Sequence, residues 1–212
     1  MISKLEHSAE IRRHDAFNIV SLFIISAINL VYFSLFTDVS KIGTSELGKD
    51  HKGIFFTLYA SSFIYFIIDS LWILFNPKAI LANPNSIITH HFISILFITI
   101  PAFIDPQFSW HMSALLLLEI NILIMTIRRS LSNDSSIIFH ILNILFYLTW
   151  VLFRLIMLPT LLVFFVYEYI RVSISLGGYF NYGILAIIFQ TLITWMSYQW
   201  TIDLVIKKIR NK

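Results

Sequence analysis

Six stretches of almost unbroken apolar sequence dominate the chain, at residues 16–36, 54–75, 87–104, 108–127, 137 to about 166, and 183–206. Each has the length that an α-helix needs to cross roughly 30 Å of hydrocarbon. Inside hydrocarbon the backbone must satisfy its own N–H and C=O groups, which leaves helices or a closed barrel. The strands of a barrel alternate apolar and polar residues at period two, and these runs do not. The expected fold is therefore all-α: a polytopic membrane protein with six transmembrane helices in a single domain spanning residues 1–212. Composition agrees, with 58% of the 212 residues hydrophobic and 13% charged. The first run follows Lys4, Arg12 and Arg13, but it is too long for a signal-peptide core and lacks a small-x-small cleavage site. It reads as a span that stays, preceded by a cytoplasmic segment at 1–15.

Six spans put both termini on one side. That side collects Lys4, Arg12, Arg13, Lys78, Arg128, Arg129, Lys207, Lys208, Arg210 and Lys212, against Lys41, Lys49, Lys52 and Arg171 on the other, with Arg154 inside a span. The excess places both termini in the cytoplasm. The net charge of +3 is thus a topology signal, and no nucleic-acid partner is expected. The absence of cysteine excludes disulfides, thiolate metal sites and a cysteine nucleophile. Asn76-Pro77, Asn83-Pro84, Asp105-Pro106 and Gly177-Gly178 mark turns between runs, and no linker separates a second domain.

Any chemistry belongs to the few ionisable groups within the runs. In SIITHHFISILFI, His90 and His91 stand side by side about one turn inside the cytoplasmic start of the third span. Asp69, near the end of the second span, and His140, near the start of the fifth, fall in the same half of the membrane; Glu119 falls near the midplane and Arg154 deep in the fifth span. At ~100° per residue, His140, Asn143, Tyr147, Trp150 and Arg154 share an arc of about 80°, and Ser62, Tyr65, Asp69 and Asn76 share a face of the second span. Intramembrane ionisable groups normally point into the bundle and pair there, so these stripes predict a polar interior pocket. The competing reading is structural: interhelical hydrogen-bond glue for the neutral residues, and Glu119 and Arg154 finding each other as an ion pair, or a backbone carbonyl, to hold the bundle together. Asp203 is expected to pair with Lys207 one turn away, and His111 beside Trp110 to be interfacial. His7, His14 and His51 fall in polar segments and carry no signal. The histidines lack HxxxH and HxxHH spacing, and no GxSxG elbow, phosphate-cradling loop or HExxH helix is present, so neither a metal nor a bound cofactor is expected.

The order Tyr65-Phe-Ile-Ile-Asp69, then Thr89-His90-His91, then Glu119-Ile-Asn-Ile-Leu-Ile-Met-Thr-Ile-Arg128, then Phe153-Arg154 with Pro159 following, resembles the TLC domain over about residues 53–206. That family includes ceramide synthases, translocating-chain-associating membrane proteins and smaller TLC domain-containing proteins. The resemblance implies six helices around a central lipid-accessible pocket, membrane lipids as partners and an endoplasmic reticulum location. In the ceramide synthases it implies paired histidines that move a fatty acyl group from acyl-CoA to a sphingoid amine. By motif, His90 and His91 match the paired histidines, Asp69 the aspartate of the preceding span and Arg154 the arginine of the fifth. Tyr65, Glu119, His140, Asn143 and Tyr147 complete the candidate pocket. Glu119-Ile-Asn121 is similar to the glutamate-containing pattern of the smaller proteins, where the synthases carry a histidine-aspartate pair and a second aspartate. Two functions stay open. One is an acyltransferase with acyl-CoA as substrate, a histidine as general base or nucleophile and Asp69 orienting it. The other is a non-catalytic protein that binds lipids in order to sense, chaperone or redistribute them.

Overall fold

A computed structural model describes residues 2–34, 52–80, 83–104, 109–131, 136–181 and 183–210. Lys41, Lys49, His51, Lys212, the Asp105-Pro106 turn and the run ends at 35–36 and 108 lie outside them. The elements are helices α1 (Ile2–Ser34), α2 (Lys52–Phe75), α3 (Pro84–Thr99), α4 (Ser109–Leu116), α5 (Leu118–Ser130), α6 (Ile137–Thr149), α7 (Leu158–Leu176) and α8 (Gly183–Arg210). No strand occurs among the described residues.

Local chemistry explains the boundaries. Asn83 caps α3 by accepting from the Asn85 N–H at 3.1 Å, with Pro84 in the first turn, where its missing N–H costs nothing. Ser136 caps α6 by accepting from the Phe139 N–H at 3.1 Å. Gly177 ends α7 in the left-handed conformation, φ 66°, and the Gly178 N–H reaches back to the Ser173 carbonyl at 3.1 Å, as in a Schellman motif. Two prolines bring wider turns with them. Pro101 lies in a π-helical turn, Ile100–Ile104, that continues α3, and Pro159 stands in the first turn of α7, just past the π-helical segment Trp150–Met157 that joins α6 to α7.

The helices pack as a ring. α1 lies against α2 and against α4 and α5; α2 packs on α3, α3 on α8, α8 on α7, and α6 returns to α5. Buried residues of α2, namely Phe55, Leu58, Ser62, Tyr65, Phe66, Asp69 and Ile73, follow helical spacing, while Ile64, Ile67, Ile68, Leu71 and Leu74 face outward. In lipid, packing and polar contacts hold such helices together, since hydrocarbon outside is as apolar as leucine. Asn29 and Ser113 exchange two hydrogen bonds between α1 and α4, Asn29 Nδ2 donating to the Ser113 carbonyl at 3.0 Å and Ser113 Oγ donating to Asn29 Oδ1 at 2.7 Å. Gln190 Nε2 donates to the Leu158 carbonyl at 2.9 Å, joining α8 to the start of α7.

Among the described residues, five helical segments are long and apolar enough to cross a membrane: Ala9–Ser34, Lys52–Phe75, Pro84–Phe103, Ser109–Ser130 and Ile137–Ser175. α8 has 28 residues, length enough, but Gln190, Thr191, Thr194, Ser197, Gln199, Thr201 and Asp203 dilute its apolar character, so the sixth expected span does not join that set. The fifth is longer than its run suggested, because the polar residues of α7 continue the helix past residue 166. Asp203 and Lys207 are both exposed and make no ion pair, a correction to the expected one-turn bridge.

Candidate functional site

Polar side chains from three neighbouring helices, α1, α2 and α3, meet inside the ring around Asp69, which is 2% exposed. His14 of α1 approaches Asp69 Oδ1 through Nε2 at 2.6 Å, and His91 of α3 faces Asp69 Oδ2 through Nδ1 at 3.6 Å. Ser70 Oγ lies 3.2 Å from His91 Nδ1 and 2.6 Å from the Phe66 carbonyl. The hydroxyl has one proton, and the carbonyl can only accept it. Ser70 therefore accepts from His91, so the network assigns the His91 proton to Nδ1 and the lone pair to Nε2. Among the described residues Nε2 has no hydrogen-bond partner.

The same accounting runs back through α1. An ionised Asp69 accepts from His14 Nε2–H, which leaves His14 Nδ1 as an acceptor for Asn18 Nδ2 at 3.5 Å. Asn18 Oδ1 in turn accepts from the Tyr65 hydroxyl at 3.2 Å. Donation thus runs in one direction from Tyr65 through Asn18 and His14 to Asp69. Phe66 and Tyr65 wall the His91 ring, with centroids at 5.1 and 6.1 Å.

His90 diverges from its neighbour, as adjacent helical residues must. Its ring meets Trp200 of α8 edge-on at 5.2 Å, and its Nδ1 is buried without a partner. The Trp200 indole N–H donates to Ser86 Oγ at 3.0 Å. Trp200 also covers one neighbour of chemical interest: the Arg154 guanidinium, which stands 5.2 Å from its ring and 4.5 Å from that of Trp150. Arg154 is 2% exposed, and its Nε donates to Asn121 Oδ1 at 3.3 Å. Asn121 Nδ2 is held by the Phe146 carbonyl at 3.0 Å and Thr149 Oγ1 at 2.8 Å. The expected Glu119–Arg154 ion pair is not made; Asn121 is the polar partner instead. Glu119 is 6% exposed, and neither of its oxygens has a hydrogen-bond partner among the described residues.

Not every predicted pocket residue reaches this centre. His140 is exposed beside Phe139. Asn143 accepts from Arg128 Nη1 at 2.8 Å, and Tyr147 lies under Lys208 Nζ at 4.6 Å. These three belong to a basic rim where α5, α6 and α8 converge, together with a fork of Arg129 on Asp15, whose Nε donates to Oδ2 at 3.0 Å. His111 is buried with its ring 4.3 Å from that of Phe165. Sequence reasoning missed His14, Asn18, Ser70, Asn121 and Trp200. The first two were legible in principle: His14, Asn18, Leu22, Ile25, Asn29 and Tyr32 repeat at helical spacing and are all buried, once α1 is allowed to begin well before the apolar run. Among the described residues no three His, Cys, Asp or Glu side chains converge in a way that could hold a metal ion.

No curated protein and no solved structure matches the chain. A family model described as the TLC domain matches residues 11–205. That match takes in most of the chain and every residue of the polar centre, and with it the chain belongs to the TLC domain family, as a lipid-related integral membrane protein.

Proposed function

We propose that the protein transfers a fatty acyl group from acyl-CoA to a membrane-lipid acceptor, with His91 as the general base. The observation that carries this reading is the His91 ring itself: Nδ1 is committed to Ser70 and Asp69, so Nε2 is the atom with a lone pair to offer. A carboxylate and a hydroxyl that fix the tautomer and favour the charged form are the usual companions of a catalytic imidazole. Nε2 takes the acceptor's proton as its oxygen or nitrogen attacks the thioester carbonyl. The C–S bond then breaks, and the imidazolium returns the proton to the departing thiolate. Six spans with both termini in the cytoplasm belong to this reading, supported by the place of α8 in the ring between α3 and α7 and by the basic asymmetry. That orientation puts His91 on the side where acyl-CoA arrives. An endoplasmic reticulum location and a central lipid-accessible pocket rest on the family resemblance.

The test is incubation of the reconstituted protein with acyl-CoA and a mixed lipid extract, followed by mass spectrometry for newly acylated lipid and free coenzyme A. Product from wild type, lost in Asp69→Asn and His91→Ala variants of unchanged helicity, supports transfer. One feature favours the second reading, a lipid-binding protein without turnover: Asn121 is fully engaged in holding α5, α6 and Arg154 together, and α5 brings neither a histidine-aspartate pair nor a second aspartate. Retained lipid with no product from any acceptor would move the assignment there.

A further inference from the structure

Glu119 and Arg154 are an acid and a base on the packed α5 and α6–α7 segments, both buried, yet they make no ion pair. A buried charge without a counter-charge in contact is costly, so the arrangement suits a ligand that supplies both counter-charges. We propose that the pair recognises the headgroup of a zwitterionic phospholipid with a primary ammonium: phosphate on Arg154, ammonium on Glu119. The inference rests on the polar centre being a lipid-acceptor site, and it names the acceptor class.

The guanidinium has little freedom to do anything else. Trp150 and Trp200 lie against its carbon at 4.5 and 5.2 Å, and Nε is spent on Asn121. Nη1 and Nη2 have no acceptor among the described residues. They form the planar fork that matches two oxygens of a phosphate, and Asn121, fixed by Phe146 and Thr149, aims the fork. Glu119 as a carboxylate only accepts. It is buried on α5 two residues before Asn121, the residue that aims the fork. On this proposal the nitrogen held at Glu119 is the one that His91 deprotonates. Transfer then balances simply: the ammonium loses one proton to solvent and a second to His91 Nε2 as the C–N bond forms, the C–S bond breaks, and the thiolate takes the second proton. The products are an amide, coenzyme A and one released proton.

The phosphates of coenzyme A offer Arg154 the same chemistry, so the experiment separates the two sources. The full chain is purified and equilibrated with equimolar phosphatidylethanolamine, phosphatidic acid and diacylglycerol, and retained lipid is read by native mass spectrometry. Wild type should retain phosphatidylethanolamine over both others by at least about tenfold, the scale of a buried charge-assisted contact left unmade. Arg154→Lys, which keeps the charge but loses the fork, should weaken both phospholipids. Glu119→Gln should lose only the advantage of phosphatidylethanolamine over phosphatidic acid. Coenzyme A without an acyl chain should displace neither. No headgroup preference in wild type, an unchanged preference in both variants, or displacement of lipid by coenzyme A overturns the proposal. The readout needs no turnover: selective retention without acyl transfer leaves this inference standing and removes the reaction, whereas acyl transfer to acceptors lacking phosphate does the reverse.

Discussion

Asp69 shows how a single buried carboxylate can organise a membrane interior. Left alone in low dielectric it would be strongly destabilising, but His14 at 2.6 Å and the His91–Ser70 pair answer it from α1, α3 and its own helix. Removing one partner of a buried pair strands the other, so His14→Ala should lower stability by about 3 to 5 kcal/mol, read as a fall in the denaturation midpoint in detergent; a variant as stable as wild type would show that Asp69 does not depend on α1. Tyr65→Phe removes only the far end of the chain of donors and should cost about 1 kcal/mol. The sequence made Asp69, His90 and His91 legible because charge inside an apolar run has few explanations. It hid His14, since the residues around it are polar and look solvated. Only the three-dimensional path of α1, which carries that polar segment in beside α2, gives this histidine a buried carboxylate to meet.

At the scale of elements, the apolar runs map onto helices with little loss, because hydrocarbon length and backbone satisfaction leave few alternatives. Where a helix departs from α geometry, the pattern misleads. The stripe His140, Asn143, Tyr147, Trp150 and Arg154 assumes one constant turn, but Trp150–Met157 is π-helical, which changes the angular phase part-way along. Arg154 and Trp150 end buried in the centre, while His140 ends exposed at the rim. The π segment next to Pro159 is thus a positioning device for Arg154 that no residue count reveals. Gly177 is the opposite case, legible in sequence and confirmed in geometry. A Cβ there meets nothing within 4 Å, so the cost of Gly177→Ala is conformational alone, about 1 to 2 kcal/mol for a left-handed residue. Thermal denaturation should show that loss, and Gly177→Asn should recover part of it; an alanine variant with unchanged stability would mean that the α7 end is not held in this turn.

Across the described residues, α8 closes the ring by joining α3 to α7, although it falls outside the set of segments apolar enough to cross a membrane. Three of its polar residues, Gln190, Thr194 and Ser197, are buried, while Leu185, Ile188, Leu192, Trp195 and Ile202 face outward beside the exposed Thr191, Gln199 and Asp203. Tags placed at residues 1 and 212 should accordingly be protected on the same side of sealed vesicles; protection on opposite sides would make five the number of spans and remove α8 from the bilayer. The ring also separates the two adjacent histidines by role, His91 on the Asp69 side and His90 against Trp200 and the Arg154 side, a division that neighbouring positions in a sequence cannot express. That division is the core of the functional account. It is tested most directly by the initial rate of free coenzyme A release from acyl-CoA in lipid vesicles, measured for wild type, His91→Ala and His90→Ala at matched helicity. The account predicts that His91→Ala lowers the rate by about 10² to 10⁴, the usual contribution of a general base, and that His90→Ala lowers it far less; equal losses in the two variants, or none in His91→Ala, would contradict it.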